Sequence, residues 1–469
     1  MKIIELAKAK SLKGEIIPPP DKSITHRAIM FASLADGKSI IRNPLMAADP
    51  ISTMNAFRSM GIEITEQQSS RAIEQQSKEK HTTALLRYCS NELIINGKGL
   101  YGLKEPFDVI NCGNSGTTVR LISGILSGNP FFSVLTGDDS LRQRPMARII
   151  NPLKEMGAEI SARSSDKYLP IAIKSKGLKA INYNMPVASA QVKSCLILAG
   201  LYADGTTIIT ESQKSRDHTE RMLRAMGAEI RTEYRSQNTE VRIQKSEYRQ
   251  HTIEVKGLQD KKLNSIDITV PSDFSSAAFF IAGALIVSDS EILIKNVCVN
   301  PTRTGMLKVI KDMGGDIRIE NMRDVSGEPV ADIYCKNSGS LKAVKISGDI
   351  MPSLIDEFPI LCVLATQADG ITEIRGAEEL RVKESDRIKA MATELKKLGV
   401  ELEEYPDGIS IKGRASLKGA IVESYHDHRI AMSLAIAALV AVGVTTINNS
   451  SCVDISFPGF FEELKKVAV

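Results

Sequence analysis

Apolar and polar positions along this chain repeat in two alternating words. The first is an amphipathic stretch that ends in Met or Leu, then a glycine, then a short extended segment, as in Leu153-Lys154-Glu155-Met156-Gly157-Ala158-Glu159-Ile160. It recurs at Met60-Gly61, Met226-Gly227, Met313-Gly314 and Leu398-Gly399. The glycine is expected where a helix must stop on positive φ and release a strand. The second word is an apolar helix rich in Ala, Ser and Gly, a small-residue turn and a β-branched strand. It covers Ala32-Ser33-Leu34-Ala35-Asp36-Gly37 into Ser39-Ile40-Ile41, Gly124 to Asn129 into Phe132 to Leu135, and Ala199 to Gly205 into Thr206 to Ile209. Three further copies run from Ala282 to Ile294, Leu364 to Ile374 and Ala438 to Ile447.

Together the words predict one unit: polar loop, buried helix, turn, strand, polar loop, amphipathic helix, glycine, strand. It repeats every ~70–95 residues, longer than the usual solenoid period, and two sets of three make two similar globular lobes. The fold class expected is therefore α/β. A Gln- and Ser-rich excursion near residues 66–90 interrupts the first unit and reads as an exposed insertion.

A length of 469 residues, 43% hydrophobic and 25% charged, is ordinary for a globular chain of two or three domains. The formal charge of +4 lends no support to nucleic-acid binding, and aromatic residues that would stack bases are few. Seven cysteines stand singly with no C-x-x-C pair, which suits a reducing cytoplasm rather than a disulfide framework or a zinc site. His26, His218, His426 and His428 fall in different units without metal-ligand spacing and read as structural. No secretory leader is read in the first residues, and the apolar run Ile430 to Val444 is shorter than the roughly 20 residues a membrane span needs. No membrane or nucleic-acid partner is expected.

The unusual residues gather at the polar starts of the apolar helices. Pro18-Pro19-Pro20 hold the chain extended, so a helix can begin only at Asp21-Lys22-Ser23, with Asp21 or Ser23 as cap and Lys22, Ser23 and Arg27 on its first turn. Free N–H groups beside an ammonium, a hydroxyl and a guanidinium make a ready anion site, and the stretch taken alone reads equally as a capped helix with two solvated cations. The corresponding starts are Asn114-Ser115-Gly116-Thr117, Ser189-Ala190-Gln191, Ser272-Asp273, Asp356-Glu357 and Asp427-His428-Arg429. Gly116 lets backbone approach a ligand, though the segment is neither a Walker nor a dinucleotide pattern. Arg144 precedes Pro145 at an expected helix start. Lys383-Glu384-Ser385-Asp386-Arg387 sets a carboxylate among cations, as proton transfer beside an anionic substrate requires. Asp356, Asp386 and Asp217 read equally well as helix caps.

Eight words in this order resemble the enolpyruvyl transferases, and within them the EPSP synthase family. They are Asp21 to Arg27, Gly113 to Thr117, Arg142 to Met146, Ser189 to Ser194, Ser215 to Thr219, Asp356 to Pro359, Lys383 to Arg387 and Asp427 to Met432. The resemblance implies two lobes, each of three βαβαββ repeats in the inside-out barrel manner, with a cleft that closes on substrate. It sets the lobes at 20–268 and at 1–19 plus 269–469. It implies transfer of the enolpyruvyl group of phosphoenolpyruvate to the 5-hydroxyl of shikimate 3-phosphate in the shikimate pathway, with no metal or other cofactor, by a cytoplasmic monomer.

The resemblance also assigns residues. Lys22, Ser23, Arg27, Ser189, Ala190, Gln191, Arg216, Asp356 and Lys383 would hold shikimate 3-phosphate. Lys22, Asn114, Gly116, Arg144, Gln191, Arg387 and Arg429 would hold phosphoenolpyruvate. Asp356, Glu384 and Lys22 would move protons. Gly116 stands at the family's glyphosate-contact position. Ile455 stands where many members have a lysine in the phosphoenolpyruvate site. The alternatives are the related UDP-N-acetylglucosamine enolpyruvyl transferase, which would carry a reactive cysteine where this chain has Arg142-Gln143-Arg144-Pro145, and a non-catalytic anion-binding protein on the same repeat.

Overall fold

The computed structural model describes residues 2–68, 91–236, 249–259 and 261–469; most of the insertion expected at 66–90 lies outside them. The chain separates into two compact units, Lys22–Val270 and Met1–Asp21 with Pro271–Val469.

One strand pattern recurs in both units. In Lys22–Val270, strands Ile110–Asn111 and Ser133–Thr136 run parallel, Ser133–Thr136 pairs antiparallel with Tyr168–Lys174, and that strand pairs antiparallel with Glu159–Ala162. Sheet order is therefore first, second, fourth, third. The same order joins Asn182–Asn184, Thr206–Glu211, Arg249–Lys256 and Ile230–Ser236. In the other unit it joins Lys345–Ile346, Ile371–Ile374, Gly408–Lys412 and Leu402–Tyr405. A parallel pair needs a crossover and an antiparallel pair only a turn, so the two helices of each repeat precede its final hairpin.

Two repeats take their first strand from a distant part of the chain. Ala35–Arg42 pairs in parallel with Asp267–Thr269, and Glu291–Cys298 pairs in parallel with Lys13–Ile16. The N-terminal strand Ile4–Ala7 adds antiparallel to Val444–Asn448, which also runs parallel to Ile421–Glu423. Where the chain leaves Met1–Asp21 and returns at Pro271, the two segments lie side by side. Asp21 N donates to Pro271 O at 2.8 Å and Asp273 N to Pro19 O at 2.8 Å. Buried Arg303 joins them, Nη1 on Asp21 Oδ2 at 3.1 Å and Nη2 on Asp273 Oδ1 at 2.9 Å.

Among the described residues, six apolar helices are buried nearly all round: Lys22–Leu34, Gly116–Ser127, Ala190–Gly200, Phe274–Ile286, Phe358–Gln367 and His428–Ala438. A helix without a polar stripe must be enclosed, and these pack on one another within their own units. The amphipathic helices Ala48–Ser59, Ala147–Glu155, His218–Ala225, Gly305–Asp312 and Arg387–Lys397 cover them with one face. Gly61, Gly157, Gly227, Gly314 and Gly399 follow with φ between 80° and 104°, the left-handed stop the first word requires. A sixth such helix, Phe460–Val467, has no glycine word and packs through Phe460 against Phe279 and Phe280.

Candidate active site

The candidate residues of Lys22–Val270 lie on the starts of its apolar helices. Lys22 is the first residue of its helix, and its ammonium lies 3.2 Å from Asp49 Oδ2. Asp21, one of the two caps expected there, has its Oδ2 on Arg303. Arg27 is buried, with Nε donating to Thr219 Oγ1 at 2.7 Å, Nη1 to Ser23 O at 3.0 Å and Nη2 to Ser194 Oγ at 3.0 Å. It ties the Lys22–Ser23 turn to two other helices. His26 Nδ1 lies 2.7 Å from Thr53 Oγ1, which continues at 2.7 Å to Thr118 Oγ1 and thence at 2.7 Å to Ser115 Oγ, a buried polar chain that fits the structural part expected of it.

Ser115 caps Gly116–Ser127 by accepting from Thr118 N at 3.0 Å. A Cβ at Gly116 would stand 3.0 Å from Arg120 Nη1 and 3.4 Å from Arg144 Nη1, so the missing side chain is what admits two guanidiniums to this helix start. Arg144 Nη2 donates to Asn114 Oδ1 at 2.6 Å, and Asn114 Nδ2 donates to Asp138 Oδ2 at 2.7 Å. The expected helix start at Pro145 is corrected. Leu141–Gln143 is a 3-10 turn and the helix begins at Ala147, so Arg144 lies in extended backbone between the two. Gln191 bridges helices, its Oε1 accepting from Arg120 Nη1 at 2.5 Å and its Nε2 donating to Thr117 Oγ1 at 3.0 Å. Ser189 caps its helix on Val192 N, and Ala190 is the first helical residue. Arg216 is half-buried in the loop that follows Thr206–Glu211.

The other unit gathers a second set. Asp356 lies in the 3-10 turn Ile355–Glu357, and the cap position of Phe358–Gln367 is Glu357 rather than Asp356, which corrects the cap reading. Its carboxylate sits between two guanidiniums, Arg387 Nη1 at 3.3 Å and Arg429 Nη2 at 3.5 Å. Arg387 is buried and also binds Glu384 at 2.7 Å and Asp427 at 2.8 Å. Burial opposes its charge, but Asp427, Glu384 and Asp356 outweigh that and hold it firmly protonated. Asp427 caps His428–Ala438 on Arg429 N at 2.9 Å and takes Ser385 Oγ at 3.1 Å. Asp386 does serve as the cap of Arg387–Lys397, accepting from Lys389 N at 3.0 Å, whereas Asp217 makes no side-chain cap and pairs with Arg221 at 3.0 Å. Burial pulls the Lys383 ammonium down to about 8, against the attraction of Asp356 and Glu379. Ile455 ends a 3-10 turn and packs on the apolar core, so its side chain supplies packing where a lysine would supply charge.

Asp49 and Arg303 belong to these networks but were not singled out from sequence. Each is an ordinary charged residue until a partner distant in sequence stands beside it.

The family model of EPSP synthase (3-phosphoshikimate 1-carboxyvinyltransferase) matches residues 6–92 and 85–464. The chain belongs to the EPSP synthase family. A curated 3-phosphoshikimate 1-carboxyvinyltransferase of Thermodesulfovibrio yellowstonii is 55% identical over 460 residues, 98% of this chain and 98% of that protein. Its counterpart in Persephonella marina is 47% identical over 463 residues, 99% of each. The solved EPSP synthase of Acinetobacter baumannii aligns with TM-score 0.79 at 41% identity, covering 99% of this chain and 98% of that one. The enolpyruvyl transferase NikO of Streptomyces tendae aligns with TM-score 0.73 at 16% identity over 99% of this chain and 97% of its own, a likeness of fold. The repeat order described above is thus the enolpyruvyl transferase fold as an EPSP synthase family member carries it.

Proposed function

We propose that the residues gathered in the two units carry out the reaction for which the EPSP synthase family is named, transfer of the enolpyruvyl group of phosphoenolpyruvate to the 5-hydroxyl of shikimate 3-phosphate with release of phosphate. Asp356 accepts the 5-hydroxyl proton while that oxygen bonds to C2 of the enol, and the C3 methylene takes a proton to become methyl. The tetrahedral adduct then expels phosphate as C3 returns a proton. Glu384 and Lys22 exchange these protons with the methylene carbon and the departing phosphate. Both substrates carry a phosphate and a carboxylate, so the cations are assigned to overcoming their mutual repulsion. Lys22, Ser23, Arg27, Ser189, Ala190, Gln191, Arg216, Asp356 and Lys383 take shikimate 3-phosphate. Lys22, Asn114, Gly116, Arg144, Gln191, Arg387 and Arg429 take phosphoenolpyruvate. The protein is assigned as a cytoplasmic monomer.

The observation that carries this reading is the Asp356 carboxylate between two guanidiniums, those of Arg387 and Arg429, with Glu384 on the first of them. A positioned base contributes ~10²–10⁴-fold, so Asp356→Asn should lower kcat by about that factor with the fold intact. Phosphate release measured with both substrates tests the reading. No release from folded wild-type protein, or release only when UDP-N-acetylglucosamine replaces shikimate 3-phosphate, overturns it.

A further inference from the structure

One group of buried charges in Lys22–Val270 has no part in the proton transfers above. Lys193, two residues beyond Gln191 on the Ala190–Gly200 helix, is fully enclosed, as are Glu211 and Glu220. Its ammonium lies 3.0 Å from Glu211 Oε1 and 2.8 Å from Glu220 Oε1, and donates to Ser215 O at 3.1 Å. Glu211 in turn accepts from Ser215 N at 3.1 Å and Ser215 Oγ at 2.7 Å, with His251 Nδ1 at 2.8 Å. Burial works against both charges. The two glutamates nevertheless hold Lys193 above its ordinary pKa, and Lys193 with the His251 and Ser215 hydrogen bonds holds Glu211 below its own.

Enclosing several charges is a poor route to stability, since apolar residues of similar volume do as well or better. What this network does achieve is geometric. Ser215 is gripped at its N–H, hydroxyl and carbonyl, and the next residue is Arg216. The lysine that grips the carbonyl sits on the helix whose first turn presents Ser189 and Gln191. Loop and helix start are thereby locked in one register.

We propose that Lys193 and Ser215, with Glu211 as their shared anchor, are positioning residues that set Arg216 beside the Ser189–Gln191 helix start for the phosphate of shikimate 3-phosphate. This rests on the assignment of Arg216 and that helix start to shikimate 3-phosphate. It separates the two substrates, because no phosphoenolpyruvate contact is assigned to the 211–217 loop. A misplaced binding group costs affinity for the ligand it binds and leaves the other ligand's contacts alone.

Steady-state kinetics on three variants test it. Ser215→Ala, which loses only the hydroxyl bond, should raise KM for shikimate 3-phosphate about tenfold while kcat and KM for phosphoenolpyruvate stay within about twofold. The triple variant Lys193→Met, Glu211→Gln, Glu220→Gln leaves no unpaired buried charge and should show the same split, larger. Arg216→Ala provides the limit. If Arg216→Ala raises KM for shikimate 3-phosphate and folded Ser215→Ala does not, positioning is overturned and the Arg216 assignment stands. If Arg216→Ala leaves that KM unchanged, the assignment falls and the proposal with it. An equal rise in both KM values would mark a general loosening of the fold and would also overturn positioning. Ser215→Ala decides the matter where the triple variant does not fold.

Discussion

Gly116 shows how one absent side chain shapes the candidate site. A methyl group there would stand 3.0 Å from Arg120 Nη1 and 3.4 Å from Arg144 Nη1, so both guanidinium tips must give way, which flexible side chains can do without loss of the fold. Gly116→Ala should therefore raise KM for phosphoenolpyruvate roughly tenfold at nearly unchanged melting temperature. Because Gly116 stands at the family's glyphosate-contact position, we predict that glyphosate inhibits the wild-type protein, and turnover undisturbed at concentrations that inhibit other glycine-containing members of the family would count against that. Lys383 gives a pH dependence with a definite sign. Burial brings its ammonium down to about 8, so the free enzyme carries the charge below that pH and loses it above. If Lys383 holds shikimate 3-phosphate, kcat/KM for that substrate should fall as pH rises through about 8, while Lys383→Arg, which stays charged, should flatten the profile.

At the scale of elements, the caps are where local sequence and tertiary structure part. Ser115, Asp386 and Asp427 cap the helices that follow them, and a polar residue before an apolar or amphipathic run was legible as such. Asp356 lies one residue before the cap position of its helix, in the 3-10 turn Ile355–Glu357, and its carboxylate meets Arg387 and Arg429, residues more than a helix away in sequence. Local propensity cannot tell these aspartates apart. Ser115 combines both roles, accepting from Thr118 N and from Thr118 Oγ1 in the chain that ends on His26. Ser115→Ala should cost about 1–2 kcal/mol in urea unfolding, and a change within a few tenths would show that water replaces the cap. The same limit applies to Pro145. A proline after Arg144 signalled a helix, but the chain first completes a 3-10 turn and starts the helix at Ala147.

For the whole molecule, the place where the chain passes from one unit into the other and back is held by one buried arginine. Arg303 binds Asp21 and Asp273, and burial with the neighbouring Asp21 raises the Asp273 carboxyl while Arg303 and Arg429 oppose that rise. Removing the cation alone leaves enclosed carboxylates uncompensated, so Arg303→Met should destabilise the protein by about 3–5 kcal/mol in urea. Adding Asp21→Asn and Asp273→Asn should recover part of the loss, and a single variant as stable as wild type would refute the clasp. The sequence by itself determined the repeat: apolar helices that must be enclosed, amphipathic ones that must be half covered, and glycines that must stop them are properties of a few adjacent residues. It also carried the chemistry of the helix starts, because Lys22, Gly116, Arg144 and Glu384 are recognisable by type and neighbour. Tertiary structure alone decided which strand completes which sheet, as Lys13–Ile16 joins Glu291–Cys298 and Asp267–Thr269 joins Ala35–Arg42. It alone decided which charges face each other, as Asp356 lies between Arg387 and Arg429 while Lys193 lies among buried glutamates. The physical reason is range. Propensity and periodicity act over one or two turns, whereas strand partnership and the electrostatics of a buried charge depend on residues that only the folded chain brings together.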